Sequence, residues 1–145
     1  VSPTYEGVIA DVASISECCQ DAGVPLVVDE AHGAHVQFLP DGAPLPVEWD
    51  NAGGSRARGA LQEGADVVVQ STHKTLGSMT QTAMLHTAIG SPERFPSLAG
   101  SLASAVELMQ SSSPSYLLLA SLDAARWQMA SPRATGRAQL LGAAH

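Results

Sequence analysis

Apolar residues recur at Val12, Ile15, Cys19 and Ala22, the spacing that lines up one face of a helix. Asp11 stands where an N-cap acid is favoured, Gly23 where a helix ends in a left-handed residue, and Pro25 just beyond. The pattern predicts a helix over residues 12–22. It gives way at once to residues 24–28, apolar without alternation, as in a parallel strand covered on both faces. A second such run covers residues 65–70, and residues 82–87 are expected to pair beside it as a third strand. Beyond Pro92, residues 98–109 and 116–129 read as two helices, parted by Ser111-Ser112-Ser113-Pro114-Ser115. Met79 and Met84 read as core. Residues 38–64, rich in Pro and Gly, read as a surface loop with a helical turn around residues 60–63. Residues 131–145 show no periodicity and are expected to fray or to be truncated.

Composition narrows the class. A chain of 145 residues suffices for one domain, and 45% hydrophobic against 14% charged residues excludes general disorder. Seven basic and 14 acidic residues leave a net charge of −7 with no basic run, which argues against nucleic acid or an anionic membrane as partner. Residues 116–120 are the longest comparable apolar run, far below the roughly 20 needed to span a bilayer, and Asp123 and Arg126 soon follow. The only two cysteines, Cys18 and Cys19, are adjacent, which suits neither a bridge nor a redox pair. A soluble protein of a reducing, cytoplasmic compartment is expected. The chain opens on Val1-Ser2-Pro3 without an initiator Met, as a fragment of a longer enzyme would.

Charge also points at chemistry. Six of the seven basic residues are Arg, and Lys74 is the single lysine. A lysine that survives a bias toward Arg is a candidate for work only an amine can do. Two polar clusters lie where buried strands should end: Asp29-Glu30-Ala31-His32-Gly33-Ala34-His35 and Ser71-Thr72-His73-Lys74. Ligands of open α/β sheets bind outside the carboxyl ends of the strands, so both clusters can face one ligand. A carboxylate at one strand end and a lone lysine at the other suit pyridoxal phosphate, the amine forming the Schiff base and the acid holding the pyridinium proton. Ser71 and His73 are candidate phosphate donors.

Other readings of the same residues are weaker. Asp29 alone commonly caps a turn, and His35 reads as a satisfied structural histidine. His32 and His35 with Glu30 lack the spacing of a metal motif, and no metal is expected. Asp29-Glu30-Ala31-His32 also matches the magnesium-binding element of DEAH helicases, but the Gly-rich phosphate loop such an enzyme needs is missing and the net charge is negative.

Residues 69–83, Val-Gln-Ser-Thr-His-Lys-Thr-Leu-Gly-Ser-Met-Thr-Gln-Thr-Ala, resemble the cofactor-attachment signature of the group I ornithine, lysine and arginine decarboxylases from end to end. Ser2-Pro3-Thr4-Tyr5-Glu6-Gly7, residues 28–35 and residues 113–118 also resemble the shorter, biosynthetic-type members. The resemblance implies an α/β fold: part of the large domain of the aminotransferase-like fold type I, over residues 1–130, with a mainly parallel sheet and flanking helices. It implies decarboxylation of arginine, lysine or ornithine, with pyridoxal 5'-phosphate as cofactor and a homodimer or larger homo-oligomer as the working form. Lys74 then resembles the lysine that carries the cofactor, Asp29 the partner of its ring nitrogen, and Ser71 with His73 its phosphate and ring-side contacts. Ala31 is implied against the ring face and His32 near the substrate. Ser111 or Ser112 is implied at the cofactor phosphate of a neighbouring subunit. Lys74 and His32 both stand as proton donors to the substrate Cα. An aminotransferase of the same fold type is the alternative left open by the residues alone. Around Pro46 to Arg58 the chain is longer than in similar proteins, and a Gly/Ser phosphate loop is not among these residues.

Overall fold

The computed structural model of the protein describes residues 1–39 and 58–131. Helix α1 (Val12–Asp21) starts where Asp11 accepts a hydrogen bond from Ser14 N at 3.0 Å. It ends in a Schellman motif: Gly23, at φ +66°, donates to Gln20 O, and Val24 donates to Cys19 O. Strands β1 (Val27–Asp29), β2 (Val67–Gln70) and β3 (Met84–Thr87) form a sheet in that order. β1 and β2 are parallel, in the register Val28 with Val68, while β2 and β3 are antiparallel, in the register Val69 with Leu85.

The sheet is therefore mixed, which corrects the expectation of a mainly parallel one. The link from β2 to β3 holds only α2 (Thr72–Thr75), four residues long. A helix that short cannot cross a sheet face as a parallel connection requires, so the chain turns back. Neither is β1 covered on both faces: Val28 is buried, but Val27 is 58% exposed. The covered side packs Val28 and Val68 against Val12, Ala60 and Ala65.

Of the apolar face expected of α1, only Val12 is buried. Val12 and Ser16 are buried, whereas Ile15 is exposed. The reason is polar: Ser16 Oγ donates to Gly64 O at 2.8 Å, and a Cβ on Gly64, itself at φ +97°, would come within 2.5 Å of Ser16 Oγ. The turn over residues 60–63 is present, with Gln62 N bonded to Gly59 O. At the amino end of the sheet, buried Asp66 accepts from Leu26 N and Ser91 Oγ and pairs with Arg94 on α3 (Ser91–Arg94).

Helices α4 (Leu98–Met109) and α5 (Tyr116–Ala130) keep the predicted boundaries to within a residue. α5 brings Ala125 and Met129 onto Ala34 and Leu76, whereas α4 buries none of its residues. Met79 is exposed and Met84 only half-buried, so neither is core in the sense expected. Cys18 and Cys19 are free thiols. Most of the longer loop expected at residues 46–58, and all but the first residue of the tail expected at residues 131–145, lie outside the described residues. Among the described residues no helix is long and apolar enough to cross a membrane.

Candidate functional site

Alternation along β1 turns consecutive carboxylates to opposite faces of the sheet: Asp29 is exposed and Glu30 is buried. Asp29 Oδ1 accepts from Ala31 N at 2.9 Å, closing a tight turn that leads the chain away from the strand. His32 rides on that turn, and Gly33 N returns to Glu30 O. Residues 2–10 lie alongside, tied by Ser2 N to Asp29 O and by Ala10 N to Ser2 Oγ. They bring the Tyr5 ring edge-on to His32, with centroids 5.3 Å apart.

At the end of β2, Ser71 precedes α2, and Lys74 N donates to Ser71 O. Parallel pairing of β1 and β2, with Asp29 opposite Val69, puts both strand ends on one edge of the sheet. The two predicted clusters meet there: Lys74 Nζ and His32 Nε2 are hydrogen-bonded at 3.1 Å. Lys74 is exposed, as a lysine reached by a ligand must be. His73 donates Nδ1–H to the Thr82 carbonyl at 2.8 Å, which fixes its tautomer and leaves Nε2 free among the described residues. Thr82 is held in turn by the hydroxyls of Thr72 and Ser78. Half-buried Ser71 keeps its hydroxyl unpaired among the described residues.

Other expected site residues are placed less closely. Ala31 enters through its backbone N–H. Ser111 and Ser112 sit on the exposed link between α4 and α5, where Ser111 Oγ bonds within its own turn. Among the described residues neither touches Lys74, Asp29 or His32. His35 is not a satisfied structural histidine: its Nδ1 is buried without a partner among the described residues, and burial lowers its pKa below the ordinary value.

Sequence reasoning missed one polar chain under the site. Glu30 Oε1 accepts from Ala60 N at 2.8 Å and Oε2 from Gln70 Nε2 at 2.5 Å, while Gln70 Oε1 meets His86 Nε2 at 3.1 Å. Burial raises the Glu30 pKa above the usual carboxylate value, and the two donated hydrogen bonds work against that rise. Burial likewise lowers the His86 pKa. The available signal was a glutamine closing the otherwise apolar run of β2, a polar group that a covered strand tolerates only with a partner.

Chemically the edge offers a primary amine in contact with an imidazole, a carboxylate with one oxygen uncommitted among the described residues, and hydroxyl and imidazole donors beside the amine. Residues 1–140 match the family model described as the Orn/Lys/Arg decarboxylase major domain. An arginine decarboxylase of Bacillus subtilis (strain 168) is 40% identical over 132 residues, which is 90% of this chain and 23% of that protein. Arginine decarboxylases of Halalkalibacterium halodurans, 38% identical over 132 residues and covered to 23%, and Bacillus cereus, 35% identical over 130 and covered to 24%, are similar over 90% of this chain. The chain spans about a quarter of the length of these curated relatives.

Proposed function

Because the chain belongs to the Orn/Lys/Arg decarboxylase major-domain family, we propose that the complete protein is a pyridoxal-phosphate-dependent, fold type I decarboxylase of a basic amino acid, with arginine the first substrate to test. The observation that carries the reading is the meeting of the single lysine with His32 at the sheet edge that also bears Asp29. The donor set fits the cofactor: Lys74 supplies an exposed amine, Asp29 an exposed carboxylate, and Ser71 with His73 a hydroxyl and a ring nitrogen left free among the described residues. When bound, pyridoxal phosphate supplies an electron sink for the pair left at the substrate Cα as carbon dioxide departs.

The chain's own residues have separate tasks. Lys74 Nζ anchors the cofactor. Asp29 holds the proton on the ring nitrogen, and Ala31 N–H steadies that carboxylate through Oδ1. His32 Nε2, 3.1 Å from Lys74 Nζ, exchanges a proton with the amine, so either group can return the proton to Cα. Tyr5 edge-on to His32 limits the turning of the imidazole. Ser71 and His73 take the phosphate side. Ser111 and Ser112, exposed between two helices, reach the site of a second subunit in a homodimer. Membership of this family removes the helicase alternative.

Borohydride reduction of the complete protein with pyridoxal phosphate, followed by peptide mapping, tests the anchor. The phosphopyridoxyl group should sit on Lys74, and carbon dioxide release should be highest from one of arginine, lysine and ornithine. A label elsewhere, or release from none of the three, would overturn the proposal.

A further inference from the structure

Three side chains, one just past β1 and one each from β2 and β3, form a line of hydrogen bonds that none of the tasks above uses. Glu30 directly follows β1, with its N–H still bonded to Val69 O, while Gln70 lies at the end of β2 and His86 within β3. Gln70 lies opposite Met84, two residues from His86, so the two side chains share one sheet face as diagonal neighbours. The directions of the bonds follow from chemistry. An ionised Glu30 can only accept, so Gln70 must offer it the amide N–H; the Gln70 oxygen is then left to accept, and His86 must donate Nε2–H.

The line ends under the candidate site. Glu30 Oε1 is occupied by Ala60 N, so both carboxylate oxygens are committed and the side chain cannot swing. The turn that carries His32 folds back over this side chain: Gly33 N bonds to Glu30 O, and a Cβ on Gly33 would lie 2.6 Å from Glu30 Cγ and 2.5 Å from Pro3 Cδ. With that clearance, the height of the turn is set by where Glu30 lies.

We propose that Glu30, Gln70 and His86 are positioning residues, whose hydrogen-bonded line across the sheet sets the turn that presents His32 to Lys74. The inference rests on the reading of Lys74 as the working amine. Its test needs no turnover.

The rate at which Lys74 is acylated by trace acetic anhydride is measured by mass spectrometry of its peptide, in the full-length protein without added cofactor. Glu30→Ala should change that rate by about threefold or more, because a displaced His32 no longer shares its hydrogen bond. Gln70→Glu, which sets two carboxylates face to face, should do the same. The exchange Glu30→Gln with Gln70→Glu restores every donor and acceptor: residue 30 still accepts from Ala60 N, and its amide donates to a carboxylate that also accepts from His86. That double variant should return to within about 1.5-fold of the parent rate. Ser91→Ala, which weakens the buried Asp66 cluster at the other end of the sheet, serves as the structural control and should leave Lys74 unchanged.

An unchanged Lys74 rate in folded Glu30→Ala would overturn the inference. Should Glu30→Ala not fold, a double variant no nearer the parent than Gln70→Glu would overturn it equally. Failure of the parent protein to release carbon dioxide from any basic amino acid would refute the proposed function and leave this comparison intact.

Discussion

Gly33→Ala tests the clamp with one methyl group. The added carbon would lie 2.5 Å from Pro3 Cδ and 2.6 Å from Glu30 Cγ. Carbon atoms rest at about 3.5 Å, so close to 1 Å of movement must be found. Pro3 is buried and its ring is rigid. Glu30 is held at both oxygens by Ala60 N and Gln70 Nε2. The turn therefore gives way, and His32 moves with it. A shift of that size takes the 3.1 Å contact with Lys74 to about 4 Å, beyond a hydrogen bond. Overpacking of this kind costs about 1–3 kcal/mol of stability, and a 1 Å misplacement in a working site costs about a hundredfold in rate. We expect kcat/KM for the preferred amino acid to fall about a hundredfold in the full-length protein, with the Lys74 adduct still trapped by borohydride. Gly90→Ala is the matched control, since a Cβ there meets nothing within 4 Å. A folded Gly33→Ala protein turning over within about threefold of the parent would refute the reasoning, because the turn could then move without consequence.

Asp29→Asn should lower turnover by orders of magnitude while the adduct on Lys74 still forms, since an amide cannot hold the proton on the ring nitrogen; near-normal turnover would contradict that role. Asp66→Ala strips Leu26 N, Ser91 Oγ and Arg94 of their shared acceptor and should cost about 3 kcal/mol in urea unfolding, at the low end for a buried pair because Arg94 is partly exposed. Mixing Lys74→Ala subunits with subunits altered at both Ser111 and Ser112 should recover activity if the link between α4 and α5 acts across subunits, and verified heterodimers with none would count against it. The 145 residues by themselves should sediment as aggregates without decarboxylase activity, because Val27, Val69 and Leu85 on one sheet face and Leu108 and Met109 on α4 are exposed; a monodisperse, active preparation would be the contrary result.

Local chemistry was legible in the sequence, and tertiary cover was not. The cap at Asp11, the left-handed stop at Gly23 and the serine-rich break before Tyr116 each act within a few residues, and each element begins or ends where they stand. The sense of β3 depends on how much chain the β2–β3 link can lay across a face, and an apolar run reads the same in either direction. An uninterrupted apolar run also predicts a strand covered on both sides, yet Val27 and Val69 are exposed among the described residues. Hydrophobicity records what a strand can bury over its whole protein, and this chain spans only about a quarter of its curated relatives. For α1 one hydroxyl sets which part of the apolar stripe packs: Val12 is buried, but Ile15 gives way to Ser16, which satisfies Gly64 O at a contact that Ile15 could not make.

At the site the lone lysine was visible by counting, and the strand-end acid by position. The division of labour between Asp29 and Glu30 was not, since two adjacent acids after an apolar run look alike in a sequence. The pleat separates them. Asp29 turns to the exposed face, where its carboxylate is open to a ligand; Glu30 turns inward, where an ionised group is tolerated only because Ala60 N and Gln70 Nε2 both donate to it. Sliding β1 by one residue would exchange these fates, putting Asp29 into a space sized for a longer side chain and leaving Gln70 without its acceptor. The register of Val28 with Val68 thus decides which acid meets the ligand, and the Glu30–Gln70 bond is a side-chain lock on that register, placed at the strand end nearest the chemistry.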